Sequence, residues 1–203
     1  MTSCFDTGHF KASTSGYIAP QTWMQYRQVA TGTTASKVGT FPVASGGNKD
    51  KVLQTLITFW VNSSPIPQWV YGLVTRGGCK VTLTARSRGF LKLSHAGAVG
   101  SSAGSLVEVS RVGVGGSAGK AGLFAADSYA IAELRQNAIT MPLKPQTAGF
   151  VKLNAGQTFT AQIELRFVSE LWQSAAIDGG QSQTESSYVT GETRIDLFAI
   201  PAL

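Results

Sequence analysis

Residues 157–168, Gln-Thr-Phe-Thr-Ala-Gln-Ile-Glu-Leu-Arg-Phe-Val, decide the fold. Phe159, Ala161, Ile163, Leu165 and Phe167 alternate with Thr160, Gln162, Glu164 and Arg166. A strict period of two describes a strand with one buried and one wet face. Glu164 and Arg166 share the wet face and are expected to pair there. Cys79, Val81, Leu83 and Ala85 alternate in the same way with Lys80, Thr82, Thr84 and Arg86. Residues 52–62 and 193–201 add two further β-forming runs, rich in branched and aromatic side chains.

Between these runs the chain is punctuated by turn residues. Gly77-Gly78 separates residues 68–76 from 79–87 and spells a tight hairpin, because two glycines tolerate positive φ. Phe90 to Leu93 extends or bulges its second strand past Gly89. Asn154-Ala155-Gly156 sets up a second hairpin between residues 150–153 and 157–168. A first strand is expected over 22–30 and an exposed connection over 32–50, around Pro42 and Gly46-Gly47-Asn48. Residues 1–20 read as irregular. Residues 95–122 form a Gly/Ser/Ala-rich arm around a short strand at 106–112. Residues 123–137 hold the one plausible helix, with strand as the alternative, and a polar loop begins at Asp178-Gly179-Gly180. About ten short strands without an internal repeat or a composition break make one domain over 1–203. The expected fold is all-β, an antiparallel β-sandwich or jelly-roll-like architecture with long Gly/Ser-rich loops.

Composition narrows the function. Only 14% of the 203 residues are charged, against a usual ~25%. Ser, Thr, Gly, Gln and Asn carry the polarity, which suits dense assembly because docking removes few charges from water. The net charge of +6 is spread over scattered basic residues. Non-specific nucleic-acid binding needs several cations on one track, so no specific nucleic-acid partner is expected. No apolar run approaches the ~20 residues of a membrane helix, so membrane insertion is not expected. Residues 1–10 lack the basic and apolar regions of a signal peptide. Cys4 and Cys79 are too few for a disulfide framework, and Cys79 continues an apolar strand face as a small buried hydrophobe. These features point to synthesis in a reducing cytoplasm and release by lysis.

The motifs that suggest chemistry fail on context. Gly100-Ser101-Ser102-Ala103-Gly104 and Gly115-Gly116-Ser117-Ala118-Gly119 both fit G-x-S-x-G. In the hydrolase fold that uses this elbow the histidine follows the serine, whereas His9 and His95 precede both. Gly113-Val114-Gly115-Gly116-Ser117-Ala118 fits a dinucleotide loop, with Glu133 at a suitable distance, but the chain lacks the alternating strands and helices it needs. Gly119-Lys120 lacks the hydroxyl residue of a phosphate loop. His9, Cys4 and Asp6 do not make a convergent metal set. Carboxylates at 164, 170, 178, 185, 192 and 196 include Asp178 and Glu185 as the least bland pair for glycoside hydrolysis. No catalytic, cofactor-binding or metal-binding residue is assigned, and no cofactor is expected. The aromatics Trp23, Tyr26, Trp60, Trp69, Tyr71 and Trp172 read first as core or subunit interface and second as a sugar-binding platform, and the candidates for a glycan-binding or interface surface are Trp60, Trp69 and Tyr71. Trp60 and Trp69 bracket Pro65-Ile66-Pro67 and are expected close together at one rim.

The phrases MQYRQVA (24–30), VYGLVTRGG (70–78), LTARSRGFL (83–91) and LRFVSELWQSAAIDGGQSQTESSYVTGETRIDLFAIP (165–201) resemble a family of small virion proteins encoded among the tail genes of long-tailed phages that infect Actinobacteria. The likeness runs from about residue 20 to the end. It implies a structural, non-enzymatic minor tail protein, with no functional residues to transfer. The resulting expectation is a virion component at the tail tip, self-associated as a homo-oligomer with a trimer the first guess, and bound to other virion proteins. A capsid decoration protein is the first alternative. A module that binds host cell-envelope glycan is the second.

Overall fold

A computed structural model describes residues 10–12, 18–20, 25–41, 50–83, 88–115, 132–143, 150–171 and 186–202, and all of its regular elements there are strands. In chain order they are β1 (Phe10–Ala12), β2 (Ile18–Pro20), β3 (Arg27–Thr34), β4 (Lys37–Phe41), β5 (Asp50–Val61), β6 (Gln68–Arg76), β7 (Cys79–Leu83) and β8 (Arg88–Val99). They continue with β9 (Val107–Gly115), β10 (Ala132–Gln136), β11 (Ile139–Pro142), β12 (Val151–Leu153), β13 (Thr158–Leu171), β14 (Ser186–Thr190) and β15 (Thr193–Pro201). All pairings are antiparallel, and β1 and β2 form a small ladder of their own.

One layer of the sandwich is the sheet β5-β13-β8-β9. Its centre is β13, whose odd-numbered residues from Phe159 to Phe167 are buried, as the alternation predicts. The other layer contains β11-β6-β15-β3, with β12 also on β6, and β10-β7-β14-β4. These two sheets share one register. Arg76 faces Thr193 and Cys79 faces Thr190, so Gly77 and Gly78 fall opposite Glu192 and Gly191 without a slip. The same continuity carries β11 into β10 and β3 into β4. The layer is thus four long strands interrupted along a seam at residues 35–36, 191–192, 77–78 and 137–138.

The seam corrects the first expected hairpin. Gly77-Gly78 does not turn the chain back, and β6 and β7 do not pair with each other. The glycines are there for close approach. Gly77 N donates to Glu192 O and Gly191 N to Gly78 O, both at 2.6 Å. A Cβ on Gly191 would sit 2.7 Å from the Gly77 Cα, and one on Gly77 would sit 2.9 Å from the Gly191 Cα. The second hairpin is corrected too. Gly156 turns with φ 76°, but β12 joins β6 while β13 joins β5 and β8, so this turn carries the chain from one layer to the other.

Other boundaries also move. The first long strand is 27–34 rather than 22–30, and residues 32–41, expected as an exposed connection, supply the end of β3 and all of β4. Residues 88–99 form a strand in the opposite layer, not an extension of β7. Residues 95–115 of the expected arm are the end of β8, a connection and β9, with His95 and Ala96 fully buried. Residues 132–136, within the possible helix, are strand. Ser186 and Ser187, expected as the end of the polar loop from Asp178, are the start of β14, while residues 116–131 and 178–185 lie outside the described residues.

The core closes between the layers. Leu53, Leu56, Leu91, Leu93 and the β13 row meet Phe41, Val70, Val74, Val81, Tyr188, Ile195 and Leu197. Phe41 packs on Phe167 and Tyr188 with ring centroids 5.0 and 5.3 Å away. A β-bulge in β5 sets Leu53 and Gln54 both inward. Gln54 then serves the seam: its amide donates to Ala35 O (2.9 Å) and Gly191 O (3.1 Å), and its carbonyl accepts from Thr193 Oγ1 (2.7 Å). These bonds satisfy polar groups that the interrupted ladder would otherwise bury unpaired.

Candidate functional site

The outer face of the β3-β15-β6 sheet carries an aromatic surface. Alternation along β6 turns Trp69, Tyr71, Leu73 and Thr75 outward while Val70 and Val74 go to the core. Along β15 the same rule turns Arg194, Asp196 and Phe198 to that outer side. Phe198 lies directly opposite Tyr71 and Ile200 opposite Trp69. Tyr26, just before β3, and Phe150, just before β12, complete the group.

Three of the rings are near-parallel. Phe198 and Tyr71 have centroids 5.2 Å apart at 18°, Tyr26 and Phe198 are 5.6 Å apart at 2°, and Tyr26 and Tyr71 are 6.3 Å apart at 15°. Phe150 meets Tyr71 edge-on at 5.1 Å. The Tyr26 and Tyr71 hydroxyls are hydrogen-bonded at 2.5 Å. Burial and then this hydrogen bond push the Tyr71 phenol up to about 12. The cluster is still open to solvent, with Tyr26 57% and Trp69 39% exposed.

A polar group borders the rings on the same face. Asp196 Oδ1 accepts from Gln28 Nε2 (2.9 Å) and from the Thr31 hydroxyl, and Arg194 Nε lies 2.8 Å from Asp196 Oδ2. Gln28 is opposite Phe198 across the β3–β15 pair, and Thr31 is opposite Asp196. Arg194 is half exposed, whereas Asp196 is buried.

Of the three aromatics singled out in the sequence, Trp69 and Tyr71 share this face and Trp60 does not. Trp60 belongs to β5 in the opposite layer, is partly buried, and packs against the core. It is in phase with Leu56 and Thr58, which corrects the expectation that it meets Trp69 at a rim. Tyr26, Phe150 and Phe198 are the members not singled out for this surface. Phe198 was in phase with Asp196 in the last strand, but only pairing across the layer brings it to Tyr71.

The motifs of the Gly-rich segment resolve differently. Ser102 lies in the β8–β9 connection, where its hydroxyl accepts from Gly104 N at 3.2 Å, a local turn bond. Gly100 and Gly104 have φ of 126° and 79°. His95 is buried and cannot reach it as a base. Burial first, and then the Arg76 charge, lower the His95 pKa to about 4. Cys79 is buried, and burial raises its thiol while Arg76 pulls the other way. The cleft lined by Gln54, Arg76, Ile163, Leu165 and Thr193 has no room for a water molecule. Glu164 and Arg166 pair at 2.8 Å, as their shared face predicts, and Asp50 joins Arg166 at 3.1 Å. No group of three metal-ligating side chains occurs among the described residues, and they contain no helix long and apolar enough to cross a membrane. Ser117, Cys4, His9, Asp178, Glu185, Trp23 and Trp172 lie outside the described residues.

The opposite layer presents a second apolar surface. The outward side chains of the edge strand β5 include Val52, Ile57, Phe59 and Val61, with Ile57 58% and Phe59 65% exposed. Beside them the β8–β9 connection folds back over β13: Thr160 Oγ1 donates to Gly100 O at 2.6 Å, and Ala103 is buried. That cover stops short of β5. Fold and surface together define an antiparallel β-sandwich with an exposed aromatic face on one layer and an exposed apolar edge on the other. No protein-family model matches the chain, and neither a curated protein nor a solved structure matches it.

Proposed function

We propose that this chain is a structural, non-enzymatic component of a long-tailed bacteriophage virion, a minor tail protein placed at the tail tip and assembled as a homo-oligomer. The β5 row supports the reading most directly. Past Asp50 and Lys51 at its start, the edge strand β5 contains no charge, proline or glycine over residues 52–61, and its outward face shows Ile57 and Phe59 to solvent. Solitary proteins blunt such an edge with charge, proline or a cover. A subunit that docks against neighbours uses it. The low charge content fits the same use, because few charges are desolvated on docking.

Antibody raised against the purified chain and applied to intact particles tests the placement. Label at the tail tip is expected. Label over the head surface would replace the tail reading with capsid decoration, and particles without label would end the virion reading.

A further inference from the structure

We propose that the aromatic face of the β3-β15-β6 sheet is a binding site for a neutral oligosaccharide. This inference concerns the opposite layer from the β5 edge and stands whether or not the chain self-associates.

The argument begins with size and spacing. Phe198 and Tyr71 are cross-strand neighbours stacked on each other, and Tyr26 stacks near-parallel on both, so Tyr26, held by the stack and 57% exposed, is the ring most open to the face of a pyranose. The C–H faces of a pyranose are apolar and pack on such rings, as any flat apolar group does. The rim of a pyranose carries hydroxyls that need donors and acceptors at fixed positions. Asp196 is two residues from Phe198 on the same side of β15, about 7 Å along the strand. Gln28 is opposite Phe198. Amide and guanidinium therefore stand beside the rings, held there by the buried Asp196 carboxylate, rather than scattered over the sheet.

The polar group is also held in place. Asp196 is fixed by Gln28, Thr31 and Arg194 before any ligand arrives. Arg194 keeps half of its side chain in solvent. A fixed group of planar polar side chains loses little entropy when it binds, which favours weak polar ligands. Charge selects the ligand further. Asp196 and Arg194 cancel, and Lys152, opposite Trp69 on β12, stands at the border. Among the described residues the face carries no cluster of cations of the kind a phosphate or a polyanion requires.

The test uses the full chain and a panel of neutral oligosaccharides, four to six residues long, built from glucose, mannose, galactose or arabinose. Calorimetric titration and tryptophan fluorescence are read together, with Trp69→Phe separating the Trp69 signal from the other three tryptophans. At least one member of the panel is expected to bind saturably. Tyr26→Ala, at an exposed position, should weaken that binding at least ~10-fold, about 1.4 kcal/mol. Arg194→Ala should weaken it as well, and because it leaves the buried Asp196 short of a partner, its affinity is read on the folded protein with the loss of stability measured separately. Trp60→Ala should leave affinity unchanged in whatever fraction folds. Titrations that stay flat for every oligosaccharide to its solubility limit would overturn the proposal. So would binding that Tyr26→Ala and Arg194→Ala leave intact. A flat panel accompanied by altered self-association in Tyr26→Ala would assign the face to a protein contact instead. The β5 reading has a separate readout, since Phe59→Lys should change mass in solution without changing sugar affinity.

Discussion

Gln54 ties β5 to the seam of the opposite layer. Its side chain makes three hydrogen bonds, two to seam carbonyls and one from Thr193. Gln54→Leu keeps the volume and leaves those groups buried without partners, which costs ~1–3 kcal/mol per group after relaxation. A loss of about 3 kcal/mol in urea unfolding is expected, against less than ~0.5 kcal/mol for the neighbouring exposed Thr55→Ala. His95 gives the fold a pH dependence whose sign is fixed. Its folded pKa of about 4 lies below its ordinary value of 6.5, so the unfolded chain binds more protons between those values. Stability is fully present above pH 6.5 and is lost as pH falls toward 4, by about 3 kcal/mol at the acid end. Urea midpoints between pH 4 and 7 should show this slope, and His95→Gln should flatten it. The Cys79 thiol, buried and raised, should react with a thiol reagent only as fast as the protein unfolds.

At the scale of elements, the seam explains what the sequence shows and what it conceals. Period-two alternation located β7 and β13, and branched and aromatic composition located β5 and β15, because both signals are local. Pairing is not local. Gly77-Gly78 can mean a turn needing positive φ or a place where two backbones nearly touch, and the residue that decides it, Gly191, is more than a hundred positions away. Asn154-Ala155-Gly156 was legible as a turn but not as a change of layer, since both flanking segments are strands either way. The aromatic face was half legible: Trp69 and Tyr71 alternate outward within β6, while Tyr26, Phe150 and Phe198 arrive from three other segments. Gly191→Ala should destabilise the protein by at least ~2 kcal/mol, because its Cβ would meet Gly77 backbone rather than a side chain that can move. Deletion of residues 96–104 removes the end of β8 and the cover over Thr160. It should abolish cooperative unfolding rather than merely weaken assembly, and circular dichroism melts would show the difference.

Taken whole, the molecule spends its chemistry on packing and presents its specificity as surface. Several described ionisable groups are paired on outer faces, as in Glu164–Arg166 and Glu108–Arg111, and others are buried in the core, as at His95 and Arg76. Two outward surfaces remain, one aromatic with a polar border and one apolar along an edge strand. The assembly reading depends on the second. Covering a side chain such as Phe59 is worth ~1.5–3 kcal/mol, and a lysine there would put an unpaired charge in the contact. The most direct measurement is the solution mass of the purified protein across a concentration series, by size exclusion with light scattering, with Phe59→Lys alongside. A closed oligomer that falls to the 21.4 kDa protomer in Phe59→Lys is the predicted result. A parent protein that stays at the protomer mass at every concentration would contradict it.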